Sequence, residues 1–149
     1  MTLKRDLYNQ CQNALNERLQ TIQLAISDIQ NALLSETKSS AGDKHETGRA
    51  MLQLEREKAG YQLAEIYKLK ALLQKINPES TTQNAALGSI VYTTIANYFI
   101  ALSLGELRVK SVPYYAISLA TPIAQLLLSK RAGDTVHFRD RAIEIVKIT

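Results

Sequence analysis

The sequence is poor in the residues that build disulfide frameworks, zinc sites and thick aromatic cores. Its 149 residues include one cysteine, two histidines, two phenylalanines and no tryptophan, beside seven tyrosines. The single Cys11 excludes a disulfide within the chain, and one cysteine with two histidines supplies fewer than the four ligands of a structural zinc site. The apolar residues are largely leucine, isoleucine and alanine, which suit helices and narrow seams better than a thick core.

Long apolar runs and targeting signals are also missing. The longest apolar run, near residues 116–128, is interrupted by Ser118, Thr121, Pro122 and Gln125 and is too short to span a bilayer. The first residues lack the basic and then apolar pattern of a secretion signal. We therefore expect a cytoplasmic protein without membrane contact. The formal net charge of +4 is compatible with an anionic partner but does not indicate one.

Proline is absent before Pro78, so nothing in the first half interrupts long helices. The apolar residues of the first segment are spaced by 4, 3, 4, 3 and 4 positions, the spacing of a coiled-coil seam. This seam comprises Leu15, Leu19, Ile22, Ile26, Ile29 and Leu33. It predicts a helix from about Leu3 to Ser35.

A second helix is predicted from about Glu46 to Ile76, where Asn77 and Pro78 end it. Two helices of equal length joined by a short link favour an antiparallel coiled-coil hairpin over residues 1–77, with its tip at 36–48. Asp43 and Glu46 fit a capping pair at the start of the second helix.

After a polar linker at 78–84, residues 85–149 are typical of a small sheet with one short helix, so the expected fold class is α+β. β-branched and aromatic residues predict five strands. These strands are 89–94, 98–102, 112–118, 135–138 and 142–148. Thr121 and Pro122 predict a capped helix that continues through Lys130.

Three motifs resemble the Gre-type transcript cleavage factors of bacterial RNA polymerase. Gly88-Ser-Ile-Val91 is similar to the segment that opens the C-terminal domain of that family. Thr121-Pro-Ile-Ala-Gln-Leu-Leu-Leu-Ser-Lys130, followed by Ala132-Gly-Asp-Thr-Val136, preserves the gap lengths of its most specific motif. Gly42-Asp-Lys-His-Glu46 is similar to the family's hairpin tip. The chain therefore resembles a divergent member, and the resemblance implies an FKBP-like fold for residues 85–149.

The resemblance implies a transcription elongation factor whose hairpin enters the secondary channel of RNA polymerase. The tip carboxylates of Asp43 and Glu46 would then share a second Mg²⁺ with the polymerase, near the RNA 3′ end, and stimulate cleavage of backtracked RNA. The polymerase would remain the enzyme, because the chain shows no nucleophile–base set, glycine-rich phosphate loop or metal cluster of its own. We expect no cofactor in isolation and no independent sequence-specific DNA binding.

Basic residues supply the expected partner contacts. Lys44 and His45 lie at the predicted tip, close to where nucleic-acid phosphates would be, although a solvated loop is the simpler interpretation of His45. Residues 85–149 contain seven Lys and Arg against four Asp and Glu, a net charge of +3. In the family this domain docks on the polymerase, and a basic surface fits protein docking at least as well as RNA contact. The contact candidates here are Arg108, Lys110, Lys130 and Arg131.

Three alternatives stay open. The family's Asn-Ala-Glu-Tyr after the tip Glu is replaced by Thr47-Gly48-Arg49-Ala50, which is also compatible with a channel-binding regulator that inhibits or retunes transcription without cleavage. Prolyl isomerase activity would need an aromatic-lined pocket that a chain with no Trp and two Phe is poorly equipped to build. A coiled-coil adaptor or chaperone would be expected to have an apolar or featureless tip, whereas this tip is polar and carries an acidic pair.

Overall fold

A computed structural model describes the backbone of residues 2–38 and 42–149 and the side chains of residues 2–36 and 46–149. The chain divides into two compact units. The β unit comprises residues 1–13 and 71–149, and the hairpin unit comprises residues 14–70. The sequence placed all of 1–77 in the hairpin, whereas this division groups the first 13 residues and residues 71–77 with the sheet.

Two long helices, α1 (Leu3–Lys38) and α2 (Gly42–Gln74), form the first half of the chain. Within the hairpin unit they are antiparallel, because Lys70 Nζ donates to Asn16 Oδ1 at 3.4 Å while Arg49 Nη1 donates to the Leu33 carbonyl at 3.3 Å. The two long helices predicted from the seam are thus confirmed.

Both helices extend further toward the hairpin tip than predicted. The expected link at 36–48 is helical up to Lys38 and again from Gly42. The helix begins one residue before Asp43, and the side chain of Asp43 lies outside the described residues, so its predicted capping role stays a prediction. Glycine and aspartate favour turns, but the backbone of Gly42 and Asp43 is helical, so the surrounding structure overrides that weak local preference.

The hairpin seam is narrow. The buried apolar side chains of the hairpin unit are Leu15, Ile26, Ala59 and Ile66. Toward the tip, Ile29, Leu33 and Leu52 are only half-buried. A pair of helices covers only one stripe of each helix, so burial along the seam is incomplete.

The second half contains six strands and one short helix, which confirms the α+β class. The elements are β1 (Ile90–Thr93), β2 (Asn97–Ile100), β3 (Gly105–Val109), β4 (Val112–Ile117), α3 (Pro122–Leu127), β5 (Thr135–Phe138) and β6 (Arg141–Ile148). The strand order is β3-β4-β2-β1-β6-β5. All pairs are antiparallel except β2–β4, which is parallel.

The strand β3 has no counterpart among the predicted strands. Its hairpin with β4 turns through Lys110 and Ser111, whose φ angles are 50° and 66°. Two-residue turns with both φ values positive are usually Asn-Gly or Asp-Gly, so Lys-Ser gave no turn signal. The β5–β6 hairpin has the same construction at Arg139 and Asp140, with φ of 52° and 62°.

Both faces of the sheet are covered within the β unit. One face packs Val91, Tyr98, Ile100 and Ile143 against Ile123 and Leu127 of α3. Ile90 and Phe99 are paired on the opposite face and are also buried. The same unit contains Leu7 and Cys11 of α1, which are fully buried. The start of α1 therefore supplies core residues to the β unit.

The short helix α3 begins as predicted. The Ala124 amide donates to Thr121 Oγ1 at 3.3 Å, and Pro122 occupies the first turn. The helix ends at Leu127 rather than at Lys130, because Ser129 has a φ of 66° that no helix continues through. Among the described residues, no helix is long and apolar enough to cross a membrane.

Candidate functional site

The hairpin tip, residues 36–48, carries the acidic pair predicted from the sequence. Glu46 is exposed. Asp43 precedes it by three residues within continuous helix, and residues three apart lie on one helix face, one turn from each other. The side chains of Asp43, Lys44 and His45 lie outside the described residues, so their positions beyond the helix backbone stay predictions.

The opposite face of α2 is turned toward α1. A Cβ built on Gly48 would lie 3.5 Å from Glu36 Oε1 and 3.7 Å from Glu36 Oε2, so the Glu36 carboxylate rests against this bare stretch of backbone. Glu46 and Gly48 are two residues apart, which is about 200° around a helix. Glu46 therefore points away from α1, in agreement with its exposure.

A second contact between the helices lies beside the first. Arg49 Nη1 donates to the Leu33 carbonyl at 3.3 Å, in a partly buried position. Leu33 is three residues before Glu36, which places both contacts on the same side of α1. A hydrogen bond and a van der Waals contact thus join the ends of the helices where the seam is only half-buried.

The donor set of the tip limits what it can bind alone. Mg²⁺ takes six oxygen ligands, whereas Asp43 and Glu46 supply two carboxylates. Within the described side chains, no group of three or more His, Cys, Asp or Glu residues is placed to hold a metal. A magnesium ion at the tip would thus need most of its ligands from water or from a partner.

The four basic contact candidates of the β unit form two separate pairs. Arg108 lies in edge strand β3 and Lys110 in the turn that follows it. Lys130 and Arg131 precede β5, the strand at the other edge. The structure therefore does not combine the four residues into one basic patch.

The local contacts of these pairs are polar and open to solvent. Arg108 Nη2 lies 3.3 Å from Glu106 Oε1, and both side chains are exposed. Arg131 Nε donates to Asn84 Oδ1 at 2.9 Å, while its backbone amide donates to Asp134. These contacts orient the two guanidinium groups without burying them, so both remain accessible to a partner.

Among the described side chains, Cys11, Tyr92 and Lys4 of the β unit have shifted pKa values. Burial raises the pKa of the Cys11 thiol to about 12, which keeps it protonated and unreactive at neutral pH. Burial also raises the pKa of Tyr92 to about 12, with a further contribution from Tyr114. Burial lowers the pKa of Lys4, whose Nζ donates to the Ser80 carbonyl at 2.7 Å. These groups serve packing and hydrogen bonding.

The sequence did not predict a functional role for Glu36 or Arg49 at the hairpin tip. Glu36 belongs to the first helix, where the resemblance extends only to the coiled-coil pattern, and its contact with Gly48 depends on the pairing of the two helices. The sequence shows Arg49 at the position where the Gre-type factors that it resembles have a glutamate. It does not show that Arg49 donates to a carbonyl of α1.

No known protein family matches this chain. No curated protein matches it either. Among solved structures, that of the transcription factor Gfh1 is similar over 95% of this chain and 92% of that chain, at 19% sequence identity and a TM-score of 0.35. A likeness of this degree establishes neither a common ancestry nor a shared activity.

Proposed function

We propose that this chain is a transcription factor that binds RNA polymerase, inserts its helical hairpin into the secondary channel and stimulates cleavage of backtracked RNA. The observation that carries the proposal is the exposed Glu46 at the end of a two-helix hairpin, one helical turn from Asp43. The motifs around Gly88 and Thr121 in the β unit support the same assignment.

The dimensions of the hairpin suit a narrow channel. The 33 residues of α2 span about 50 Å at 1.5 Å per residue. Two paired helices form a thin element because each buries only one stripe, which is also why much of their seam is half-buried. An acidic pair at such a tip can reach a buried reaction centre while the β unit stays outside.

The chemistry of the pair is that of oxygen ligands and a base. In two-metal phosphodiester hydrolysis, magnesium stabilises the attacking and leaving oxygens and activates the water. Asp43 and Glu46 would supply ligands for the weakly held ion, and Glu46 would also orient the attacking water. Because Glu46 faces away from α1, its carboxylate is available to a partner's active site without any rearrangement of the hairpin.

The test is transcript cleavage by a purified bacterial polymerase stalled in a backtracked state. The wild-type chain should accelerate release of the RNA 3′ fragment. Asp43→Ala and Glu46→Ala should each reduce the maximal acceleration by about 10²–10³-fold, the usual effect of removing one group that stabilises a transition state. Binding to the polymerase should be unchanged in both variants.

Glu57→Ala is the matched control, because Glu57 is an exposed carboxylate elsewhere on α2. This variant should stimulate transcript cleavage as strongly as the wild type does. Equal cleavage by the wild type and by the double variant Asp43→Ala/Glu46→Ala would show that the tip carboxylates have no catalytic part.

A second candidate function is channel binding that inhibits or retunes transcription without cleavage. It is favoured by Arg49, whose guanidinium is joined to the Leu33 carbonyl at a position where the family carries an acid. In the same assay this candidate predicts slower elongation with no gain in 3′ fragment release. The two candidates are thus separated by one measurement on the wild-type chain.

A further inference from the structure

We infer that Glu36 and Arg49 are positioning residues: they fix the rotation of the first turns of α2 and so keep the face that carries Glu46 turned outward. The inference rests on the proposed function for its consequence in catalysis. The positioning itself concerns only contacts within the hairpin unit.

The need for such contacts comes from the seam. Among the described hydrophobic side chains, none is buried between Ile26 on α1 and Ala59 on α2 in the direction of the tip. Ile29, Leu33 and Leu52 are half-buried and contact solvent. A half-buried seam keeps two helices together but fixes the rotation of each helix only loosely. A seam side chain fixes the rotation when it packs fully between four residues of the facing helix.

Local propensity does not compensate for this weak seam. The first turns of α2 contain Gly42, Thr47 and Gly48. Glycine in a helix interior costs about 1 kcal/mol relative to alanine, and threonine is also a weak helix former. The segment that carries the acidic pair is thus among the parts of α2 least able to hold its own conformation.

The contacts of Glu36 and Arg49 join this segment of α2 to α1. The Glu36 carboxylate lies against the bare backbone of Gly48, with both of its oxygens within 3.7 Å of the position a Cβ would take. Arg49 Nη1 donates to the Leu33 carbonyl at 3.3 Å, one turn earlier on α1. Adjacent residues of α2 are therefore held to the same side of α1, and a rotation of α2 would break both contacts together.

The consequence for the acidic pair follows from helix geometry. Gly48 faces α1, and Glu46 lies about 200° away around the helix. A rotation that carried Gly48 away from Glu36 would turn Glu46 toward α1 and out of reach of a partner. Glu36 and Arg49 would therefore affect the rate of cleavage without touching the RNA or the metal.

The positioning is tested first in the free protein. Spin labels are placed at Glu46→Cys and Asp28→Cys, both exposed positions of the hairpin unit, in a Cys11→Ala background that leaves no other thiol. The distance distribution should be narrow with Glu36 and Arg49 present and clearly broader in Glu36→Ala/Arg49→Ala. A control pair at Glu17→Cys and Glu57→Cys should keep its width in both backgrounds.

The consequence is tested in transcript cleavage without labels. Glu36→Ala and Arg49→Ala should lower the maximal rate roughly tenfold to a hundredfold. The factor concentration at half-maximal rate should stay unchanged. Arg49→Lys, which can still donate to the Leu33 carbonyl, should recover most of the rate, whereas a residue needed only for folding would move both parameters.

The outcomes separate the two proposals. If the wild-type chain does not stimulate cleavage, the proposed function is wrong, while the distance distributions still decide the positioning. Unchanged distributions in Glu36→Ala/Arg49→Ala overturn the positioning whatever the cleavage result. Broader distributions with an unchanged rate overturn the link between positioning and catalysis.

Discussion

The β unit and the hairpin unit reach different degrees of apolar burial. In the β unit Phe99, Ile143 and Ile145 are fully buried. In the hairpin unit Tyr61 is 77% exposed, and Leu24 and Leu54 are about two-thirds exposed. A sheet covered on both faces removes its side chains from water, whereas a pair of helices covers only one stripe of each.

This difference implies that the β unit provides stability, whereas the hairpin unit exposes its functional groups. The tip carries an exposed acidic residue and polar contacts between the helices, while the strongly shifted pKa values belong to Cys11 and Tyr92 in the β unit. The hairpin unit therefore buries its apolar side chains less completely than the β unit does and leaves polar groups exposed.

Truncation of one core side chain in each unit tests this comparison most strongly. Phe99→Ala should lower the free energy of unfolding by about 3–5 kcal/mol, because Phe99 is fully buried. Ile26→Ala should cost about 2 kcal/mol, at the low end of such changes, since its neighbours in the seam are only half-buried. Urea unfolding measures both. Tyr61→Ala, an exposed control, should stay within about 0.5 kcal/mol of the wild type. Equal losses for Phe99→Ala and Ile26→Ala would contradict the difference between the units.

The same glycine-to-alanine change should have opposite signs in the two units. Gly88 has a φ of +90°, and an added Cβ would lie 3.0 Å from Ile76 Cγ2, so Gly88→Ala should destabilise the β unit by about 1–3 kcal/mol. Gly48 is helical and has room for a Cβ at ordinary contact distance, so Gly48→Ala should stabilise α2 by about 0.5–1 kcal/mol. Thermal unfolding followed by circular dichroism measures both shifts. A loss of stability in Gly48→Ala would show that the Glu36 contact tolerates no methyl group.

The smallest expected effect is a pH dependence confined to the β unit. The thiol of Cys11 ionises near pH 9 in an unfolded chain and near pH 12 in the folded one. The unfolded state therefore loses its proton first, and the contribution of Cys11 to stability is complete below pH 9 and declines between pH 9 and 12. At pH 10 the loss is about 1 kcal/mol.

The measurement compares urea midpoints of the wild type and Cys11→Ala at pH 8 and pH 10. The difference between the two proteins removes the contributions of Tyr92, which acts in the same direction, and of Lys4, which acts in the opposite one. An identical pH dependence in both proteins would exclude Cys11 as its source.

Much of the fold was predictable because its signals are local. The seam from Leu15 to Leu33 predicted α1, and Thr121 with Pro122 predicted the start of α3. The strand β3 was missed because its turn at Lys110 and Ser111 uses residues that rarely adopt positive φ. The helical backbone at residues 36–38 and 42–48 was missed because glycine and aspartate in this stretch favour turns.

The candidate site was predictable only in part. A resemblance can identify Asp43 and Glu46 because both lie in one continuous motif. It cannot identify Glu36 or the carbonyl partner of Arg49, since both contacts join residues of different helices. Contacts of this kind depend on register between elements, and a single sequence contains no direct record of register.

The position of β6 in the sheet has a consequence for how the chain folds during synthesis. β6 pairs with β1 in the interior of the strand order, and residues 1–13 belong to the unit that contains it. The hairpin unit needs no residue after Lys70. On the ribosome the hairpin can therefore pair early, whereas the pairing of β1 with β6 cannot form until residues 141–148 have emerged.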